Sequence, residues 1–493
     1  MNAILRDQNC YDLGNDKIEY IKAKELLVSN RIDLVAKYKF VEAYDKGQNI
    51  PFIEKMYYAH LEAFSSGRFV EPGKEDTKKN FEDYLSIFRQ LIDNIKANGV
   101  RKEISVIPVG KNNVILNGSH RTAIAMYYDM TIPIVRYEDL EATYDYRFFK
   151  DKLLEYQYLN YMATEYIRMK ENVFFTCIWP RANRSKWTAA DQIIKENCDV
   201  VYKTSVTLTY NGLKNLMIQI YGKQEWCGNL QNGYKGVNSK ADVCYKECKK
   251  TIIYILDNAD LAKVVRLKKD VRDVYQIGNS SVHISDNSQE SLNMAHLLLN
   301  ANSVNLLNYG QIFKYKRYIA AIQQLGKELE AYQLDAEDFL IDSSGVLGIY
   351  GIRQPNDVDC LTFHHLQNYQ FSEKVTEHDE YIPYYLKAKE ELIYNPNNYL
   401  YAYEMKFCSL EVLLKMKKVR NEKKDRQDCK LISPYIERQI TSKTKIMQYK
   451  MRWLRKFRNV YVRIEMKIFN VLKIFHLYDP VRKYYRLLKR KLL

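Results

Sequence analysis

Apolar residues recur along this chain at helical spacing first and in short β-favouring runs later, and the change marks out its parts. From Asn15 to Tyr44, Ile18, Ile21, Val28, Ile32 and Val35 follow three- and four-residue steps once Glu25 is allowed as a gap. This predicts a helical arm over residues 1–50, closed by the Gly47–Pro51 break. Met56–Phe64 reads as a helix and Ser65–Asp76 as a polar loop. A longer helix follows, with Phe81, Leu85, Phe88, Leu91, Ile92 and Ile95 on one face, and Gly99 stops it. Ile104–Val109 and Val114–Asn117 read as strands joined at Gly110–Asn113. A helix after Gly118 and a strand at Ile132–Val135 close a unit over 51–145.

Connecting helices are expected over 146–172. A middle α/β region over 173–330 contains a strand at Asp199–Leu208 and a helix at Leu213–Tyr221. A third α/β region covers 331–437, and a basic amphipathic tail covers 438–493. A length of 493 residues fits about three ordinary cores, so the fold class read here is α/β (α+β) and multidomain. A hydrophobic content of 46% with 28% charged residues is that of a globular chain.

Charge changes this picture only at the end of the chain. The net charge is +16, but Arg438 to Leu493 holds 17 Lys and Arg against Glu465 and Asp479, so the body is nearly neutral. Within the tail Met447, Met451, Leu454, Phe457, Tyr461, Ile464, Ile468, Leu472 and Phe475 keep helical spacing. This predicts an anionic membrane surface as the partner of 441–493, ahead of nucleic acid or a docking helix. No run of about 18 apolar residues predicts a span, and the start MNAILRDQNCYDL has no signal-like apolar stretch. A cytoplasmic location, peripheral on the inner face of the membrane, is therefore expected. Nine scattered cysteines fit a reducing compartment; Cys244 and Cys248 with Cys227 and His283 lack the second close pair that a zinc site needs.

The stretch Val114–Ala125, VILNGSHRTAIA, has the outline of a phosphate grip. A glycine admits a ligand close to the backbone, and the N–H groups of a new helix attract an anion. Gly118, Ser119, His120, Arg121 and Thr122 are its candidate residues, and a plain strand–turn–helix with a solvated arginine is the alternative. Helix, ISVIPV, KNN turn, VILNGSHR, helix and TIPIVRY together resemble the ParB/sulfiredoxin superfamily, which includes free serine kinases. Ser119 stands where a sulfiredoxin carries its cysteine, so the resemblance implies a nucleotide or phosphate site instead. A kinase of that kind needs a base, for which Glu71, Glu75 and Glu62 are the candidates, with solvated surface charge the alternative.

In the middle region Lys269 and Arg272 could hold phosphate, while His283 and Asp286 could act as an acid/base pair or metal ligands. Asp286 or Asn287 could equally cap the helix carrying Glu290. In the third region Asp342–Arg353 leads to Asn356-Asp357-Val358-Asp359. On a strand Asp357 and Asp359 project to one face and could bind Mg²⁺, unless they are merely a polar strand end near Pro355.

With the later Arg420–Asp428 segment, this region resembles the DNA polymerase β-type nucleotidyltransferase superfamily. The resemblance implies that Ser343, Ser344, Gly345 and Arg353 touch phosphates and that Asp357 and Asp359 bind metal. Lys424, Asp425 and Asp428 would brace the site. The family writes Gly-Ser where this chain has Ser-Ser-Gly. Its third carboxylate falls to Glu404, with Asp379 or Glu380 behind it.

The composite resembles proteins of bacterial surface-polysaccharide clusters. It implies a transferase using Mg²⁺ with ATP or another nucleoside triphosphate on a small hydroxylated or sugar substrate, for capsule or lipopolysaccharide. A nucleotide-binding regulatory or DNA-binding protein and a glycosyltransferase are the competing expectations.

Overall fold

The computed structural model describes residues 17–67, 69, 80–247, 250–257 and 259–439, with nine helical positions between Trp453 and Val471. It is a mixed α/β chain with three small sheets. The first contains β1 (Glu19–Lys22), β2 (Ile107–Gly110) and β3 (Thr131–Tyr137) in the order β1-β3-β2; β1 runs antiparallel and β2 parallel to β3. The second contains β4 (Phe174–Ile178), β5 (Asp199–Thr207), β6 (Lys250–Asp257) and β7 (Val282–Ile284) in the antiparallel order β5-β6-β4-β7. The third contains β8 (Phe339–Ile341), β9 (Val358–Thr362), β10 (Val375–Glu377), β11 (Tyr399–Ala402) and β12 (Met405–Cys408) in the order β10-β9-β8-β12-β11.

Two early elements differ from expectation. Within the stretch read as a helical arm, Glu19–Lys22 is a strand and only Asp33–Asp45 is an α-helix. The four-residue strand exists because it pairs with β3, a partner that local periodicity does not reveal. Val114–Asn117 does not form a strand; it makes one isolated bridge, Val109 to Ile115, after a turn in which Asn112 and Asn113 have φ of 57° and 60°. The Phe81–Asn98 helix follows its pattern closely. Asn80 accepts from the Asp83 N–H at 2.9 Å, Leu85, Phe88, Ile92 and Ile95 are buried, and Gly99 ends it at φ 68°.

The second sheet is covered on both faces. Helices Trp187–Asn197 and Leu261–Tyr275 pack against Phe174, Ile178 and Tyr254, while Cys177, Ile253 and Ile255 belong to the larger core shared with the other sheets. Crossing that larger core is a line of charges, with Glu165 and Lys406 buried and Lys39, Arg168 and Glu337 partly exposed. Lys39, on the Asp33–Asp45 helix, lies 3.1 Å from Glu165; Glu165 lies 3.5 Å from Arg168. Arg168 then reaches Glu337 at 3.5 Å, and Glu337 reaches Lys406 of β12 at 3.5 Å.

His296 sits inside this network with its ring stacked on Tyr401 at 3.8 Å, and its Nε2 accepts from Arg168 at 3.2 Å, which only a neutral imidazole can do. Burial pushes its pKa from 6.5 to about 4, against the pull of Glu337. The unfolded chain therefore takes up a proton below 6.5 that the folded chain refuses until about 4. Stability should fall as pH is lowered from 6.5 to about 4, by up to about 3 kcal/mol. Urea unfolding of the parent and His296→Asn at pH values inside and above the window checks this. The parent should lose stability with a slope of about one proton more than the variant.

Candidate functional site

The third sheet builds its site at the end where β8 stops. Phe339, Leu340 and Ile341 are buried, and the chain then turns through Asp342 and Ser343 into the Ser344–Ile349 helix before returning as β9. Ser343 makes the turn at φ 52° and ψ −120°, a conformation that suits glycine. Gly345 is required for space. A Cβ there would lie 2.5 Å from the Tyr318 hydroxyl and 2.7 Å from Ile341.

Asp342 donates its N–H to the Asp359 carbonyl at 2.8 Å, one residue beyond the Ile341–Cys360 pair, so Asp342 and Asp359 are cross-strand neighbours. Asp357, two residues before Asp359 and separated from it by buried Val358, shares that face. Asp342 and Asp357 thus lie near enough to Asp359 to act on its charge, without forming a three-ligand metal group. Burial raises the Asp359 carboxyl above its ordinary value; Asp357 and Asp342 add to this, against His378 and Lys374. Tyr318, whose buried hydroxyl has no hydrogen-bond partner among the described residues, is held well above the tyrosine range by burial and then by Asp359 and Asp357.

Asp342 itself is fully engaged. It accepts from the Tyr385 hydroxyl and the Ser343 N–H, and its other oxygen lies 3.1 Å from His378 Nδ1. His378 follows β10, whose parallel register sets Thr376 beside Asp359, and its N–H donates to the Cys360 carbonyl. The ring of His378 packs on Tyr381 at 4.0 Å, and Arg420 lies over Tyr381 at 4.8 Å.

Arg420 and Lys417 hold Asp425 at 2.7 and 3.2 Å, and these cations keep its carboxyl down at about 2 although burial opposes them. Lys417 also reaches Asp428 at 2.9 Å, and Asp428 lies 3.3 Å from Arg353. Asp425 and Asp428 are thus braces, and Arg353 is drawn to a brace. Lys424 is exposed and pairs with Glu422 instead.

No family model, curated protein or solved structure matches the chain. The site's meaning therefore rests on its own geometry and on the sequence motifs.

Other expected residues are placed elsewhere. Glu404 lies in the β11–β12 turn at φ 63° and pairs with Lys223 at 2.9 Å. Because β12 runs parallel to β8, that turn is at the opposite end of the sheet from Asp342, so Glu404 does not join Asp357 and Asp359. Asp379 pairs with Lys389 at 2.5 Å.

In the second sheet His283 contacts Glu290 at 3.1 Å, and Glu290 also accepts the Asp286 N–H at 2.7 Å. Asn287, not Asp286, caps the Ser288–Leu298 helix, its Oδ1 accepting the Glu290 N–H at 2.8 Å. Asp286 pairs with Lys268 at 2.9 Å, while Lys269 is exposed. Arg272 has a buried Nε without a partner among the described residues. Among the described residues no three His, Cys, Asp or Glu are grouped as a metal centre, so Cys227, Cys244 and His283 form no zinc site there, and Cys248 lies outside them.

The Gly118–Thr122 turn has the expected shape. Gly118 caps the Ser119–Tyr127 helix at φ 84°, Asn117 Oδ1 accepts the Gly118 N–H at 2.6 Å, and Thr122 Oγ1 donates to the Gly118 carbonyl. The Arg121 guanidinium lies over Gly118, within 2.8 Å of where a Cβ would be. Ser119 and Arg121 are half-buried. His120, however, faces inward: Nε2 meets the Tyr57 hydroxyl at 2.8 Å and its ring meets Phe88 edge-on.

Behind this turn lies a buried group that the periodicity reading passed over. Asp33 is held by Arg31 at 2.8 Å and Lys37 at 2.7 Å, and Arg31 also bonds the Ile115 carbonyl. The pair of cations holds Asp33 far below the carboxylate range against the cost of burial. Glu71 and Glu75 lie outside the described residues; Glu62 is half-buried on the Pro51–Ser65 helix.

Two substitutions test the β8–helix turn. Ser343→Gly should melt no lower than the parent, because it removes the strained φ, whereas Gly345→Ala should lose about 1–3 kcal/mol to the Tyr318 and Ile341 clash. Thermal unfolding followed by circular dichroism reads both.

Proposed function

We propose that the third sheet carries the site of a transferase that uses Mg²⁺ and a nucleoside triphosphate, moving a phosphoryl or nucleotidyl group to a small hydroxylated or sugar acceptor. The observation that supports it most is the cross-strand pairing of Asp342 with Asp359, with Asp357 two residues before Asp359, beside a Ser343 turn with glycine-like geometry. In this reading the third region is a nucleotidyltransferase-like domain and 51–145 a ParB/sulfiredoxin-like one.

Asp357 and Asp359 are the residues that would hold the cation. They are hard oxygen donors, Asp359 is raised by burial and then by Asp357, and Mg²⁺ commonly takes one or two protein carboxylates with phosphate oxygens completing its shell. When bound, the cation neutralises phosphate charge and orients the group to be transferred. Ser343, Ser344 and Gly345 line the turn that faces the same end. Asp342 is left to orient His378 through Nδ1, which makes His378 the side chain placed to take a proton from the acceptor hydroxyl. The Gly118–Arg121 turn serves as a second anion grip.

A role in capsule or lipopolysaccharide synthesis on the cytoplasmic side, peripheral to the membrane, belongs to the same proposal. Its support is the resemblance to surface-polysaccharide proteins. Among the described residues no helix is long and apolar enough to cross a membrane.

Thermal unfolding with Mg²⁺ plus ATP or CTP tests the sites separately. At about 100 Kd a ligand should stabilise the parent by about 2.7 kcal/mol. Asp357→Asn and Asp359→Asn should lose the Mg²⁺-dependent part and Arg121→Ala should retain it. Retention in both aspartate variants would overturn the assignment. Product analysis then distinguishes the reactions: pyrophosphate marks nucleotidyl transfer, ADP marks phosphoryl transfer, and a nucleoside diphosphate released from a sugar nucleotide marks glycosyl transfer.

A further inference from the structure

The tail offers an apolar face that nothing described in the chain covers. Trp453, Phe457, Val460, Tyr461, Ile464, Ile468 and Val471 are all helical and are 51–68% exposed. Their separations of four, three, one, three, four and three residues put them on one side of a helix. The Trp453 and Phe457 rings confirm the shared face, lying 4.2 Å apart across one turn. Elsewhere among the described residues exposed large apolar side chains are scattered or in short groups such as Leu261 with Val265; a run of seven along one stripe is of the kind that marks an interaction surface.

Its surroundings in sequence are strongly basic. From Arg438 to Leu493 there are 17 Lys and Arg and only 2 acidic residues, which is nearly the whole net charge of the protein. Arg463 and Lys467 are exposed within the stripe's own length. A second copy of this tail would bring like charge against like charge. A neutral apolar partner would leave the charge unused.

An anionic lipid surface satisfies both properties at once, since the acyl boundary takes the Trp, Phe and Ile side chains and the headgroups take the cations. Duplex DNA would satisfy the charge alone and leave the stripe in water. We propose that Trp453–Val471 is an interfacial helix that lies in the plane of an anionic bilayer with this stripe inserted. It stands independently of the chemistry assigned to the third sheet.

The aromatic pair at one end supplies the deepest contact, because Trp and Phe bring large apolar area into the interface. Electrostatic attraction draws the tail to the surface and the stripe holds it there. The two contributions therefore differ in their response to salt: the first is screened and the second persists.

The test uses the full chain in flotation with vesicles of phosphatidylcholine, with and without about one third phosphatidylglycerol, at about 0.15 M salt. The parent should float with the anionic vesicles at least about tenfold more than with the neutral ones, since anionic headgroups attract each Lys or Arg near the surface. Ile464→Glu with Ile468→Glu should abolish flotation while leaving the thermal unfolding of the body unchanged. Trp453→Ala should weaken flotation in part. Three results would overturn the inference. They are no flotation, flotation indifferent to the double glutamate variant, and, without flotation, either tight binding to a duplex DNA or self-association in lipid-free buffer that this variant removes.

Discussion

A line of charge from Lys39 through Glu165, Arg168 and Glu337 to Lys406, buried at Glu165 and Lys406 and partly exposed at the other three, ties the Asp33–Asp45 helix to the third sheet. Such pairs contribute little net stability, because each ion loses its water. Removing one member is costly, because the partner is left buried and uncompensated. Their effect is therefore positional. Glu337 stands just before β8 and Lys406 lies beside Leu340 in register, so the network anchors one end of the strand whose other end carries Asp342.

The site end is held by a different set of contacts with the same logic. Asp425 and Asp428 gather Lys417, Arg420 and Arg353, and Arg420 passes that rigidity through Tyr381 to His378 and so to Asp342. The charges that are satisfied are structural. Asp357 and Asp359, by contrast, have no cation paired with them among the described residues. The contrast between Asp425, driven down by its cations, and Asp359, driven up by burial and its neighbours, expresses that division of labour.

The N-terminal unit repeats the pattern around Asp33. Arg31 and Lys37 neutralise it, and Arg31 reaches the Ile115 carbonyl, fixing the chain just ahead of Asn117 and Gly118. Because β1 pairs with β3 while the Asp33–Asp45 helix carries Asp33 and Lys37, residues 17–50 form part of this unit's support.

Local chemistry by itself determined the long amphipathic helices, the glycine stops, the turn at Gly118 and the spacing of Asp357 and Asp359. Each of these depends on residues within a few positions of one another. The basic stripe of the tail was legible for the same reason, and most of that tail lies outside the described residues. Only tertiary structure decided that Glu404 lies at the wrong end of its sheet, that Asp342 and His378 belong beside Asp359, and that Lys268 rather than Lys269 meets Asp286. Strand order and direction govern the first two, and helix phase governs the third. Neither is written in local periodicity, because a strand's neighbour is chosen by the burial of both faces across the whole core.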